Sequence, residues 1–330
     1  MTTKKEVVFE STFSEFLTRL IQEKRALGYR YKKGEAELLR FDRFCNSLGH
    51  TDCVLTRDLV KQWTEKKECE RVATRTRRIS LMRILGDFMV RNGQQAWVYP
   101  IATESISTEP YIPYIFTETE LRSFFSQVDH CSSNANSPNR QFVFSLLFRM
   151  LYGCGLRISE ALSLRMKDVL LKKGSLQILQ TKFNKDRLVP MHPSLVSCCL
   201  EYTNRIHRFS KPEDPFFPSP YGGPYPPRTA YTVFREMLWA AGISHGGKGF
   251  GPRLHDLRHT FAVHCLKHWV LNGLDLSVAL PYLSCYLGHT GLKSTQVYLR
   301  LTAELYPEIV SAVEKKFGSL IPDGSYDETN

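Results

Sequence analysis

Long apolar runs are missing from this 330-residue chain. Its most hydrophobic stretch, Phe142 to Tyr152, is broken by Arg149 and is too short to span a bilayer. The first residues, Met1 to Glu10, mix charges and hold no signal-peptide hydrophobic segment. Both absences predict a cytoplasmic protein with no membrane partner. Cysteine chemistry is thin as well. Nine cysteines, an odd number, make no Cys-x-x-Cys pair, and only Cys198 and Cys199 are close together. Neither a disulfide framework nor a zinc knuckle fits that spacing, so reduced core thiols are expected. Internal repeats and long low-complexity tracts are absent too. Acidic residues are in short supply, 33 against 44 Lys and Arg, giving a formal charge of +11 and a pI of about 9.2. An excess of this sign points to a polyanionic partner.

What remains is an ordinary globular mixture, 42% hydrophobic and 23% charged, long enough for two domains and a substantial core. The positive charge is uneven: residues 1–100 hold 20 Lys and Arg against 13 Asp and Glu, residues 101–330 hold 24 against 20. In the first third, apolar residues recur at helical spacing. Phe13, Phe16, Leu17, Leu20 and Ile21 form one stripe, and Leu38, Phe41, Cys45 and Leu48 form another. Thr56 is placed to cap a third helix bearing Leu59, Val60 and Trp63. A fourth runs from about Val72 to Arg91 with Ile79, Met82, Leu85 and Met89 inward. Its leading end carries Arg71, Arg75 and Arg78 on one stripe, with Arg77 beside it and almost no acidic residue near, which predicts contact with phosphates.

Residues 99–112 mix Pro, Ser, Thr and Glu without periodicity and read as a linker between domains at 1–98 and 113–330. Thr117 and Glu120 then make a capping-box pattern ahead of Leu121, Phe124, Phe125 and Val128. An apolar helix follows over 141–151, broken by Gly153 and Gly155, and a new helix begins around Ile158. From Asp168 to Pro190 the pattern changes to short β-rich runs, Val169–Leu171, Ser175–Gln180 and Arg187–Pro190. The rest reads as mostly helical, apart from loops at 211–227 and 242–252. The expected fold class is mainly α with a small antiparallel β-meander.

His255 and Arg258 stand at i and i+3 in HDLRHTFA, on one helical face. His259, four residues after His255, invites a metal reading. Against it, Arg258 fixes a cation on the same face and no acidic residue takes the HExxH position, so no metal is expected. The segment GISHGGKG, 242–249, approaches a phosphate-binding P-loop but has Gly249 where Ser or Thr must follow Lys248. A basic loop is the better reading.

The HxxR pair is weak alone; its company is not. YGCGLRISEALSLRMKDV (152–169), TKFNKDRLVP (181–190), HDLRHTFA (255–262) and LGHTGLKSTQVYLRL (287–301) occur in this order. Together they resemble the signature of the tyrosine recombinase, or phage-integrase, family over roughly 115–302. The last segment is the most specific, with His289 after Leu-Gly and nine positions before Tyr298. The helical, basic first third is similar in character to that family's core-binding domain.

The resemblance implies roles for named residues. Arg157 and Arg258 are the phosphate-gripping arginines, Glu160 the acidic residue buttressing Arg157, and Tyr298 the nucleophile. His255 is the imidazole that takes the tyrosine proton or returns it on religation, and His289 donates a hydrogen bond to the phosphate. Lys182 is the β-hairpin lysine that protonates the leaving oxygen, with Lys185 as its rival three residues away. The chemistry agrees with these roles, because a planar guanidinium fork matches paired phosphate oxygens and a field of fixed cations favours a phenolate. Positioned cations then stand in for a metal, and no cofactor is expected.

By the same resemblance the protein is a site-specific DNA recombinase, an integrase or transposase of a bacterial mobile element. It would cleave and rejoin strands through a 3′-phosphotyrosyl link without metal or ATP. Double-stranded DNA would lie in a two-domain clamp, four protomers would form the synaptic complex, and accessory recombination proteins would be possible partners. Two rival readings are a type IB topoisomerase and a catalytically silent DNA-binding regulator. One departure from the family stands out. Thirty residues separate Arg258 from His289, which implies a lengthened helix and loop and leaves the placement of His289 open. In the tail, Ile309, Val313 and Phe317 follow i+4 spacing after Pro307, fitting either a partner contact or an intramolecular helix.

Overall fold

Helical spacing becomes helix along most of the chain. The computed structural model describes residues 8–29, 31–101, 112–179, 186–247, 251–289, 291, 295–298 and 301–302. Outside them lie most of the expected linker, Lys182, Lys185, Lys248 and the tail residues Ile309, Val313 and Phe317. The chain divides into two compact units, Met1–Tyr111 and Ile112–Asn330. Among the described residues, no helix is long and apolar enough to cross a membrane.

The first unit contains α1 (Ser14–Ala26), α2 (Lys32–Ser47), α3 (Arg57–Thr64) and α4 (Val72–Arg91). Their apolar stripes meet in one core built on Phe13, Leu17, Leu38, Phe41, Trp63, Met82 and Leu85. Thr56 caps α3, its hydroxyl accepting from the Leu59 amide at 3.3 Å. The arginine stripe on α4 does not present four free cations. Arg78 is only 3% exposed. Its guanidinium donates to Glu70, to the Trp63 carbonyl and to the Glu65 carbonyl. Those bonds commit Arg78 to the interior of its unit and remove it from the set of phosphate contacts. The acidic partner that the stripe was expected to lack is Glu70, which lies just ahead of the helix. Arg75 is half-buried and donates to the Thr64 carbonyl at 3.0 Å, while Arg71 and Arg77 stay exposed.

A stability difference follows. Arg78→Ala leaves Glu70 nearly buried without its counter-charge and is expected to cost about 3–5 kcal/mol, whereas Arg77→Ala should stay within about 0.5 kcal/mol. Thermal melts of the two full-length variants test this contrast. Equal melting temperatures would contradict it.

The second unit holds α5 (Glu118–Asp129), α6 (Arg140–Gly153), α7 (Ile158–Ser163), β1 (Val169–Leu170), β2 (Ser175–Ile178), β3 (Arg187–Pro190), α8 (Pro193–Ile206), α9 (Pro227–Ala240), α10 (Asp256–Leu271) and α11 (Leu276–Leu287). The capping box of α5 forms in both directions: Thr117 Oγ1 accepts from the Glu120 amide at 3.2 Å, and Glu120 accepts from the Thr117 amide at 2.8 Å. The apolar α6 is buried in a phenylalanine-rich core with Phe116, Phe124, Phe148 and Phe234, packed against α5, α8 and α10.

The strands form an antiparallel sheet in the order β1-β2-β3, pairing Val169 with Leu176, Leu176 with Val189 and Ile178 with Arg187. Because side chains alternate along a strand, Arg187 shares the inward face with Val189. The long segment between Arg258 and His289 is the remainder of α10, a short turn and α11, which packs back on α10. All nine cysteines are free, but Cys69 and Cys285 are exposed rather than core residues.

Candidate active site

Four backbone devices bring the charged groups together. Arg157 occupies the N-cap of α7 in extended conformation, and Glu160 in the first turn reaches back to accept its amide at 2.9 Å. His255 takes the equivalent position at the start of α10, which sets Arg258 one turn inside. Strand β3 delivers Arg187 from the sheet. Helix α11 ends at Leu287, and Gly288 turns the chain with φ +67° toward His289.

At the centre lies Glu160, 7% exposed, with three guanidinium groups around it. Arg157 donates to its Oε1 at 2.7 Å, Arg187 donates to Oε1 and Oε2 at 3.2 and 2.9 Å, and Arg258 stands 3.8 Å from Oε2. Burial by itself raises a carboxyl pKa. The hydrogen bonds from Arg187 and from the Arg157 backbone overcome that, and Glu160 is held at about 2.

The other side of the frame is the C-terminus of α11. A helix leaves its last carbonyls without partners inside the helix, at the negative end of its dipole. Here three successive carbonyls each accept from a different arginine: Tyr286 from Arg187 at 2.9 Å, Leu287 from Arg258 at 2.7 Å, and Gly288 from Arg157 at 3.3 Å. Arg258, 1% exposed, also donates to the Gly155 carbonyl at 2.7 Å. Two glycines make these approaches possible. At Gly155, φ +56°, a Cβ would stand 2.6 Å from Phe261, and at Gly288 it would stand 2.7 Å from the Arg187 guanidinium.

Tyr298 belongs to this cluster. It is 2% exposed, lies in a helical turn and packs among Val263, Leu266, Leu283 and Leu287. Its hydroxyl is 3.0 Å from His259 Nδ1. Burial raises its pKa, and the positive charges of Arg258 and Arg157 oppose that rise. His289 lies nearly parallel to the phenol ring, centroids 6.1 Å apart, and its Nδ1 is 2.8 Å from the Thr295 hydroxyl. His255 sits edge-on to His259 at 4.7 Å and keeps solvent access.

Lost hydration and the neighbouring cations push all three imidazoles down: His255 and His289 to about 4, His259 to about 3. Near neutral pH they are therefore uncharged, while Arg258, lowered to about 10 chiefly by burial, stays charged. Among the described residues no group of three or more His, Cys, Asp or Glu has an arrangement fit to hold a metal ion.

Arg157, Glu160, His255, Arg258, His289 and Tyr298 thus fall in one cluster, although motifs up to 131 residues apart supply contacts within it. Lys182 lies outside the described residues; the strand that follows it, β3, begins with Arg187, itself in the cluster. Two members were not singled out for the site from sequence. Arg187 carried a signal, since an arginine sharing a strand face with buried Val189 needs an acidic partner. His259 was visible one turn after His255, but weighing it only as a metal ligand hid its hydrogen bond to the phenol.

The profile of the phage integrase family matches residues 116–304. Over 313 residues the chain is 27% identical to the integrase/recombinase y4rB of Sinorhizobium fredii, covering 93% of this chain and 98% of that one. A solved structure of the XerH site-specific recombinase bound to a palindromic difH substrate shares the fold, with TM-score 0.60 and 20% identity over 91% of this chain and 84% of that chain. So does the Tn1549 transposon integrase in complex with transposon right end DNA, with TM-score 0.61 and 16% identity over 92% and 98% of the two chains.

Proposed function

As the chain belongs to the phage integrase family and is a site-specific DNA recombinase of the tyrosine type, we propose that it cuts and rejoins DNA by transferring a strand's 3′-phosphate onto Tyr298. The observation that carries this reading is the buried phenol hydroxyl beside His259, within the field of Arg258 and Arg157. A phenol of ordinary pKa near 10 is ionised to about one part in a thousand at pH 7. Fixed cations that favour the anion, and that meet charge growing on the non-bridging phosphate oxygens, address both halves of that difficulty.

Each residue then has a task. Arg157 and Arg258 neutralise the phosphoryl oxygens, and Glu160 holds the guanidinium groups in register. His289, with Nδ1 engaged by Thr295, offers its other ring nitrogen to the phosphate as a hydrogen-bond donor. His255, exposed at the start of α10 and edge-on to His259, exchanges protons with solvent. Lys182 supplies a proton to the departing 5′-oxygen, with Lys185 as the alternative donor. The energy of the broken phosphodiester is kept in the phosphotyrosyl ester, so a 5′-hydroxyl from another strand reverses the step without ATP. Strand exchange between two duplexes requires four such sites, which favours a homotetramer on double-stranded DNA.

Incubation with nicked duplexes from the parent element's ends tests the proposal. The protein should form an adduct that survives SDS and should leave supercoiled plasmids lacking the site unrelaxed. Relaxation of any plasmid would favour a type IB topoisomerase instead. DNA binding that never yields an adduct would favour a silent regulator.

In the first unit Arg71 and Arg77 supply phosphate contacts. Arg77→Ala should weaken binding about equally on all sequences and reduce the salt slope by about 1 in a titration of affinity against salt. An unchanged slope would remove Arg77 from the interface.

A further inference from the structure

Resting on the phosphotyrosyl reading, we infer that His259 is a further catalytic residue, the acceptor of the Tyr298 proton. The geometry gives the partner of the phenol hydroxyl. Arg258 is committed to the Gly155 and Leu287 carbonyls, and its charge favours the phenolate over the phenol. Among the described residues the hydrogen-bond partner of the phenol hydroxyl is His259 Nδ1, at 3.0 Å. A neutral imidazole accepts there when its proton is on Nε2. Among the described residues no hydrogen bond joins the phenol to His289 or to His255, the imidazole that the family resemblance casts as the proton acceptor. His289 Nδ1 engages Thr295, and His255 meets only the edge of His259, at 4.7 Å between centroids.

A base must also gain the proton when the reaction needs it. In the free protein the charged and titratable groups facing His259 are His255 and Arg258 on its own helix and His289 after α11, and with burial they hold it at about 3. A bound phosphodiester sets a negative charge against Arg258 and offsets part of its push, raising His259 from that depressed value.

The step then balances. The Tyr298 O–H bond breaks and its proton passes to His259 Nδ1. A bond forms from the phenol oxygen to phosphorus, and the bond from phosphorus to the 5′-oxygen breaks, that oxygen taking a proton from a donor on its own side. On religation the 5′-hydroxyl attacks phosphorus and gives its proton back to the donor on its own side, the phenol oxygen leaves, and His259 returns the proton to it.

Single-turnover adduct formation on nicked duplexes separates this role from mere positioning. His259→Gln keeps a hydrogen-bond acceptor but cannot hold a proton at neutral pH; His259→Phe removes both. Each should cleave about 100-fold more slowly than wild type while binding the duplex with similar affinity, and its rate should climb about tenfold per pH unit as hydroxide replaces the missing base. A substrate with sulfur at the bridging 5′ position needs no proton on its leaving group, so it should restore a Lys182→Ala variant but neither His259 variant.

Wild-type rates in His259→Gln would reduce His259 to a positioning residue and overturn the inference. Rates above wild type in either variant would also overturn it, since His259 would then restrain the phenol. Rescue of both variants by the sulfur substrate would place the lost proton transfer at the leaving group and would overturn it too. In those cases the wild-type adduct still forms and the phosphotyrosyl reading stands. No adduct from wild type would sink both together.

Discussion

Tyr298→Phe should form no SDS-resistant adduct on nicked DNA while still binding its site within a few-fold of wild type. The substitution removes one atom, the oxygen that would bond to phosphorus, and leaves the ring in its pocket among Val263, Leu266, Leu283 and Leu287. Loss of a nucleophile that acts with its whole cluster lowers turnover by at least about 10⁴-fold. The structural penalty is small by comparison. Arg258 keeps the Gly155 and Leu287 carbonyls, and His259 loses one hydrogen bond, a loss of about 1–2 kcal/mol. A gel under denaturing conditions, paired with a native binding assay, reads both outcomes. An adduct of wild-type yield from the phenylalanine variant would show that another residue is the nucleophile.

Glu160→Gln should be nearly as damaging by a different route. One carboxylate stands among Arg157, Arg187 and Arg258; a neutral amide leaves three guanidinium groups packed together without a counter-charge. Removing one partner from a buried ion pair costs about 3–5 kcal/mol. Activity should fall further, because the arginines that grip the phosphate lose their register. The wild-type protein should show the same dependence in acid. The folded pKa of Glu160 lies at about 2, below its ordinary 4.5, so its stabilising effect is complete above about pH 4.5 and is lost as pH falls toward 2. That shift corresponds to roughly 3 kcal/mol at neutral pH. Urea midpoints in the wild type should hold from pH 6 to about pH 4.5 and then decline toward pH 3, and should decline less in Glu160→Gln. Parallel curves would mean that Glu160 is not the group responsible.

Much of the second unit was legible because local signals agreed with the final packing. The capping box at Thr117, the glycine breaks at 153 and 155 and the β-rich runs from Val169 to Pro190 each appear within a residue or two of expectation. The cluster was legible for a different reason: its members sit in four short motifs whose order and spacing resemble one family. What stayed hidden depends on contacts between distant segments. Nothing local reveals that Arg187 and Arg258 share Glu160, or that three carbonyls ending α11 hold three arginines. Nor does a helical stripe reveal burial. Arg71, Arg75 and Arg78 fall on one face by spacing, yet Glu70 and two backbone carbonyls from the end of α3 and just after it draw Arg78 inward. The long connection between Arg258 and His289 looked like an insertion that left His289 adrift. Folded as the rest of α10 followed by α11, it is the element whose end anchors the arginines.

The most direct test is to find the atom bonded to DNA. Trapped adduct from a nicked duplex, digested with nuclease and trypsin, should give a nucleotide-bearing peptide spanning residues 294–300, STQVYLR, whose only tyrosine is Tyr298. A nucleotide remnant carried instead by the peptide with Tyr286, by the one with Tyr306, or by any serine would contradict the assignment of Tyr298 as the nucleophile.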